Sequence, residues 1–87
     1  MDTNKPYISD INMIKAIDML KESGEIPFKI VAYDVMNVDT SWVNRIDKQE
    51  KYKRGVHFTA EHIRLFCDHF NINSNYIFGL ESDMYRK

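Results

Sequence analysis

The run Val35-Met36-Asn37-Val38-Asp39-Thr40-Ser41-Trp42-Val43-Asn44-Arg45-Ile46-Asp47 constrains the fold more than any other part of the chain. Asn37 stands where a helix needs a left-handed residue to stop, a conformation Asn tolerates better than any side chain except Gly. Val38 follows as an apolar anchor, and Asp39 can accept the free N–H groups that open a second helix. Val43 and Ile46 then recur at helical spacing, which turns Thr40, Ser41, Asn44, Arg45 and Lys48 outward. Two short helices joined by a four-residue turn are expected here. The second has an apolar inner edge and a polar outer face.

The remaining segments read as helices of similar size. Residues 1–8 form a loose arm, since Pro6 resists an early helix start. Ser9 is the expected N-cap of a first helix, with Asp10 favourable to its dipole. Met13, Ala16, Ile17 and Leu20 repeat at i, i+3, i+4, i+7, and Gly24 provides the stop. Ile26-Pro27 opens the second helix, with Phe28, Val31, Ala32 and Val35 on its buried face. The third runs from about Thr40 to Lys48. Thr59 caps a fourth, whose buried stripe is Ile63, Phe66, Cys67 and Phe70. Asn73 or Ser74 caps a last short helix that ends at Gly79. Residues 81–87 are a polar tail expected to fray. The sum is one compact all-α domain of five helices over residues 9–80, with no internal repeat and no second-domain linker.

Charge distribution separates the segments. The 87 residues carry a net charge of −1, with a pI near 6.3. Residues 37–58 are net positive, holding Arg45, Lys48, Lys51, Lys53 and Arg54 against Asp39, Asp47 and Glu50, while both flanks are net negative. The positive charge thus collects on the third helix and the loop that follows it. Such a patch can bind phosphates while the rest of the domain stays acidic. Hydroxyl, amide and guanidinium groups on a free helix face can hydrogen-bond to base edges in a major groove. No apolar run is long enough to span a bilayer and the N-terminus lacks a signal-peptide core. Cys67, the single cysteine, excludes an intrachain disulfide and points to a reducing, cytoplasmic setting, bacterial or phage-encoded.

Two blocks carry a family resemblance. One is Asn37-Val38-Asp39 through Val43-Asn44-Arg45-Ile46-Asp47. The other is Thr59-Ala60-Glu61-His62-Ile63-Arg64-Leu65-Phe66-Cys67, followed by Phe70-Asn71-Ile72-Asn73 and Tyr76-Ile77-Phe78-Gly79. In this order they resemble the lambda-repressor-like (Cro/cI, Xre-type) helix-turn-helix family, over roughly residues 9–80. The resemblance implies a DNA-binding domain whose second and third helices form the helix-turn-helix. It implies that Thr40, Ser41, Asn44 and Arg45 face base edges, that Lys48 contacts a phosphate, and that Val43 and Ile46 are buried. The chain departs from the family pattern in three places. Tyr33 falls on the position of a small residue, with Ala32 one place early. Phe28-Lys29 replaces the usual Thr-Gln, so that Lys29 would hold a phosphate by charge. The basic loop after the third helix is longer than usual.

Other readings compete at particular residues. Lys51-Tyr52-Lys53-Arg54 either grips phosphates beside the reading helix or is a solvated loop. Trp42 either stacks near the groove or roofs the helix pair. His57, His62, Cys67 and His69 lack the paired spacing of a structural zinc site, so no metal is expected, and Cys67 should pack as a small apolar group. No catalytic set stands at interpretable spacing and no phosphate-cradling Gly-rich loop occurs, so neither enzyme activity nor a cofactor or small-molecule ligand is expected. The expected function is sequence-specific transcriptional regulation, in the manner of phage or mobile-element repressors. Double-stranded DNA is the expected partner and a homodimer the expected form, with the last helix and the Tyr76 or Phe78 edges as pairing surfaces. The competing class is a protein-interaction module on the same fold (antitoxin-like, adaptor or anti-repressor). Near-neutral charge, Trp42 on the third helix and the missing Gln favour that class.

Overall fold

The computed structural model describes residues 7–48 and 56–87. Among the described residues five helices follow in order: α1 (Ile8–Ser23), α2 (Ile30–Val35), α3 (Thr40–Asp47), α4 (Ala60–Phe70) and α5 (Ser74–Ile77). Among the described residues there is no strand, only an isolated antiparallel bridge between Ile72 and Tyr85. α1 packs on α3 and α5, α2 packs on α3 and α4, and α4 packs on α5. No helix among the described residues is long and apolar enough to cross a membrane.

α1 buries Met13, Ala16, Ile17 and Leu20, the stripe its periodicity dictates. It ends at Gly24 in the left-handed region, where the N–H of Glu25 reaches back to the carbonyl of Leu20. Its start differs from the expectation. The helix already holds Ile8, and Tyr7 rather than Ser9 occupies the N-cap, without a side-chain hydrogen bond. Asp10 therefore falls in the first turn, and its carboxylate turns inward. It accepts the Phe58 N–H at 2.9 Å and lies 2.6 Å from His57 Nδ1.

α2 begins later than Pro27 suggests. Ile26 is buried directly after the Gly24 stop, so the chain must turn through Pro27–Lys29 before a helix can form. Phe28, expected on the buried face, is consequently 66% exposed. The buried residues of this segment are Ala32, Tyr33 and Met36, with Val31 and Val35 half-buried. The chain places its large Tyr33 ring in the core beside the small Ala32.

α4 opens on a capping box. Thr59 Oγ1 accepts the His62 N–H at 3.2 Å and His62 Nδ1 accepts the Thr59 N–H at 3.0 Å. Asn71, with φ 58°, ends it in the left-handed region, and Ile72 drops into the core. Cys67 lies in the buried stripe, and burial pushes its thiol up to about 11, so it packs as an apolar group.

α5 is capped by the Asn73 side chain and closed by Gly79. Asn12 of α1 donates to the carbonyls of Tyr76 and Ile77 and ties these two elements together. The tail does not fray. Met84 is buried, Asn73 N–H donates to the Met84 carbonyl at 2.8 Å, and Arg86 N–H donates to the Asn71 carbonyl at 3.1 Å. Polar composition misleads here, because the segment joins the buried Met84 side chain to backbone and side-chain hydrogen bonds that reach other parts of the chain.

Candidate nucleic-acid interface

The turn before α3 is built as its residues require. Asn37 has φ 58°, the Val38 N–H donates to the Tyr33 carbonyl and the Asn37 N–H donates to the Asp34 carbonyl. These two bonds satisfy the last carbonyls of α2 in a Schellman arrangement. Val38 is half-buried and packs on the core. Asp39 Oδ1 then accepts the Trp42 N–H at 2.7 Å and the Ser41 hydroxyl at 2.8 Å. The Trp42 N–H first, and the Ser41 hydroxyl second, hold the Asp39 carboxyl below the usual carboxylate range.

With both ends of the turn fixed, α3 seats its apolar edge. Val43 and Ile46 are buried, while Thr40, Ser41, Asn44, Arg45 and Lys48 are all exposed. Trp42 is half-buried, its ring edge-on to Phe58 at 5.6 Å and to His62 at 4.9 Å. It therefore packs α3 against the start of α4. Ser41 gives its proton to Asp39, so toward a base it offers only acceptor lone pairs. Asn44 borders a polar cleft of about 130 Å³ between α1, α2 and α3, shared with Asp18, Lys29, Tyr33 and Asp47.

The basic residues expected to contact DNA divide into three groups. Arg45 and Lys48 are exposed at the C-terminal half of α3. Lys29 makes an ion pair with Asp18 at 2.6 Å, which raises its pKa, so a phosphate would have to compete with that carboxylate. Lys51, Lys53 and Arg54, expected to touch phosphates, lie outside the described residues.

The histidines have structural partners that the sequence reading left out. His57 stacks on Tyr7 at 3.7 Å and meets Asp10, His62 closes the capping box, and His69 lies edge-on to Phe70 at 4.7 Å. The described residues contain no group of three or more His, Cys, Asp or Glu side chains that could hold a metal ion. Thr59-x-x-His62 has the spacing of a capping box and could have been found by it. Asp10 and His57 stand 47 positions apart, and no local signal joins them. Comparison of the chain with family models, curated proteins and solved structures gives no match.

Proposed function

We propose that the protein is a sequence-specific DNA-binding transcriptional regulator, similar to lambda-repressor-like repressors, with α2 and α3 as its helix-turn-helix. One observation carries this reading. α3 is held by a buried Val43–Ile46 edge and presents Thr40, Ser41, Asn44 and Arg45 together on its exposed side, with no apolar residue among these four. Asn44 suits adenine and Arg45 suits guanine in bidentate contacts, while Ser41 can accept from an exocyclic amine. Asp39 places a carboxylate at the N-terminus of α3, where it opposes the positive helix dipole. Phosphate contacts are accordingly assigned to the other end, to Lys48 and the basic residues Lys51, Lys53 and Arg54. These contacts fix the register while base edges supply specificity. A homodimer on a two-fold site gives two reading helices, each spanning only a few base pairs.

Selection of bound fragments from genomic DNA at two salt concentrations tests the proposal. A short palindromic motif, recovered at low salt and lost at higher salt, is the expected result. The double variant Asn44→Ala/Arg45→Ala should lose at least about 30-fold in specific binding, since each base contact contributes ~1–3 kcal/mol of discrimination. Its melting temperature should stay within a few degrees of the parent, because both side chains are exposed. Intact operator specificity in that folded variant would sink the residue assignment.

The protein-interaction reading keeps one specific support. Lys29 stands at the usual phosphate-gripping position and is engaged by Asp18. Trp42, which favoured the same reading, is taken up by Phe58 and His62. Binding to a protein partner that resists salt, with no enrichment of any DNA sequence, would decide for that class.

A further inference from the structure

The polar cleft between α1, α2 and α3 is lined by a hydroxyl that the fold does not use. Tyr33 is 7% exposed, with its ring in the core, yet its hydroxyl makes no hydrogen bond with any described residue. Among the described residues no fully buried side-chain oxygen or nitrogen lacks a partner, so the Tyr33 oxygen reaches the open space of the cleft. A phenylalanine would fill the same core position without taking a hydroxyl out of water. Asp47, the last residue of α3, is also placed at a cost to the fold. Its carboxylate makes no hydrogen bond or ion pair with a described residue and stands at the helix end where the dipole disfavours negative charge. Asn44, one turn earlier, brings a third polar side chain to the cleft with no hydrogen-bond partner among the described residues.

These groups define what can enter. In the cleft Asp18 and Asp47 stand against one ammonium, that of Lys29, which Asp18 already holds at 2.6 Å. One negative charge is left in excess, and it repels an anion. Burial raises the pKa of Tyr33, with Lys29 opposing and Asp18 and Asp47 adding to the rise, so the hydroxyl is protonated and lies in the field of all three charges. A free carboxylate, a phenol oxygen and an amide oxygen are three acceptors, matching the three N–H donors of a primary ammonium. A hard metal ion is poorly matched, since only two carboxylates line the cleft and one of them is paired. Ile14, Ile17 and Val43 complete the lining and offer apolar surface to methylene groups. The volume of about 130 Å³ equals roughly four water molecules at ~30 Å³ each, room for an aminoalkyl head and not for a drug-sized molecule. An open groove of about 360 Å³ shares Asp18 and Lys29 and runs on to Lys21 and Glu22, which leaves space for the rest of a longer ligand.

We propose that this cleft binds the protonated primary amine of a small aliphatic ligand. The ammonium donates to the Asp47 carboxylate, the Tyr33 oxygen and Asn44 Oδ1, and the carbon chain lies along Ile14, Ile17 and Val43. Binding engages the side chain that the proposed function assigns to adenine, so an effect of the amine on DNA reading rests on that assignment. The amine site itself does not.

Titration of the protein with n-butylammonium chloride, at constant ionic strength and without DNA, tests the site through the backbone amide chemical shifts. The expected result is a saturable change centred on Tyr33, Asn44 and Asp47. Tetramethylammonium, of equal charge but without N–H donors, should bind at least about tenfold more weakly. Asp47→Asn should weaken butylammonium at least about tenfold and Tyr33→Phe at least about threefold. Neither variant should lower the melting temperature, because one removes a hydroxyl with no internal partner and the other relieves a charge at the unfavourable helix end. Shifts that stay linear and spread over the acidic surface overturn the proposal, as does an equal response to the two cations. Unchanged affinity in Tyr33→Phe overturns it equally, and so does a clear loss of stability in that variant, which would show the hydroxyl serving the fold. Saturable, variant-sensitive binding in a protein that selects no DNA sequence upholds the amine site and removes the reading of α3.

Discussion

His62 can close the capping box of α4 only as a neutral ring, because Nδ1 must accept the Thr59 N–H. Burial lowers its pKa from 6.5, against a smaller upward pull from Glu61, and its ring lies edge-on to Trp42 and Phe58. The unfolded chain therefore takes up the proton first as pH falls. The stabilisation is complete above 6.5 and is lost progressively below it. His62→Gln keeps an acceptor at the same position without titrating. Between about pH 7 and about pH 5 the melting temperature of the parent should fall more than that of His62→Gln, by roughly a few degrees. Parallel melting curves for the two proteins over that range would show that the cap does not titrate. This feature was legible as Thr59 followed by a polar residue at the third position, although a His rather than a Glu or Gln occupies it. The Asp10–His57 contact was not legible, since it joins the first turn of α1 to the approach of α4.

At the level of elements, the turn between α2 and α3 follows from three residues, Asn37, Val38 and Asp39. Each adopts the role its side-chain chemistry dictates. Asn37→Ala should destabilise the domain by ~1 kcal/mol, because Ala meets the steric penalty of the left-handed region without Asn's local hydrogen-bonding capacity. Asn37→Gly should be neutral or slightly stabilising, and the urea midpoints of the two variants should fall on opposite sides of the parent or at least differ by that amount. The start of α2 at Ile30 departs from the expectation for an equally physical reason. Pro is compatible with the first turn of a helix and with a tight turn alike. The choice was made by Ile26, whose burial after Gly24 leaves Pro27–Lys29 to reverse the chain. The same shift exchanged Phe28 for Tyr33 as the aromatic residue facing the core.

Across the whole molecule, the closing segment is the part that composition describes least well. Residues 81–87 hold only one large aliphatic side chain, Met84, yet that side chain is buried and the backbone on both sides of it bonds to the α4–α5 connection. Tyr85 also donates to Glu25 at 2.8 Å, and Arg86 pairs with Asp68 at 2.9 Å, so the segment touches the ends of both long helices. Met84→Ala should cost ~2 kcal/mol, measurable by thermal or chemical denaturation, at the low end for a buried Met because the site lies at the edge of the core. A change within experimental error would mean that the segment is held by its polar contacts alone. Local periodicity identified five helices, whereas the contacts that close the domain connect residues tens of positions apart and leave no periodic trace.

Trp42 is the chain's single tryptophan, and it sits on α3 with the His62 ring 4.9 Å away and Phe58 at 5.6 Å. The intrinsic fluorescence of this protein is therefore the spectroscopy of one helix. A change in emission reports on the seating of α3 against α4 and on the protonation of the neighbouring imidazole. It also reports on whatever approaches the exposed edge of the indole. Unfolding, acidification and ligand binding can each be followed from that one fluorophore, with no label added and no second indole to contaminate the signal.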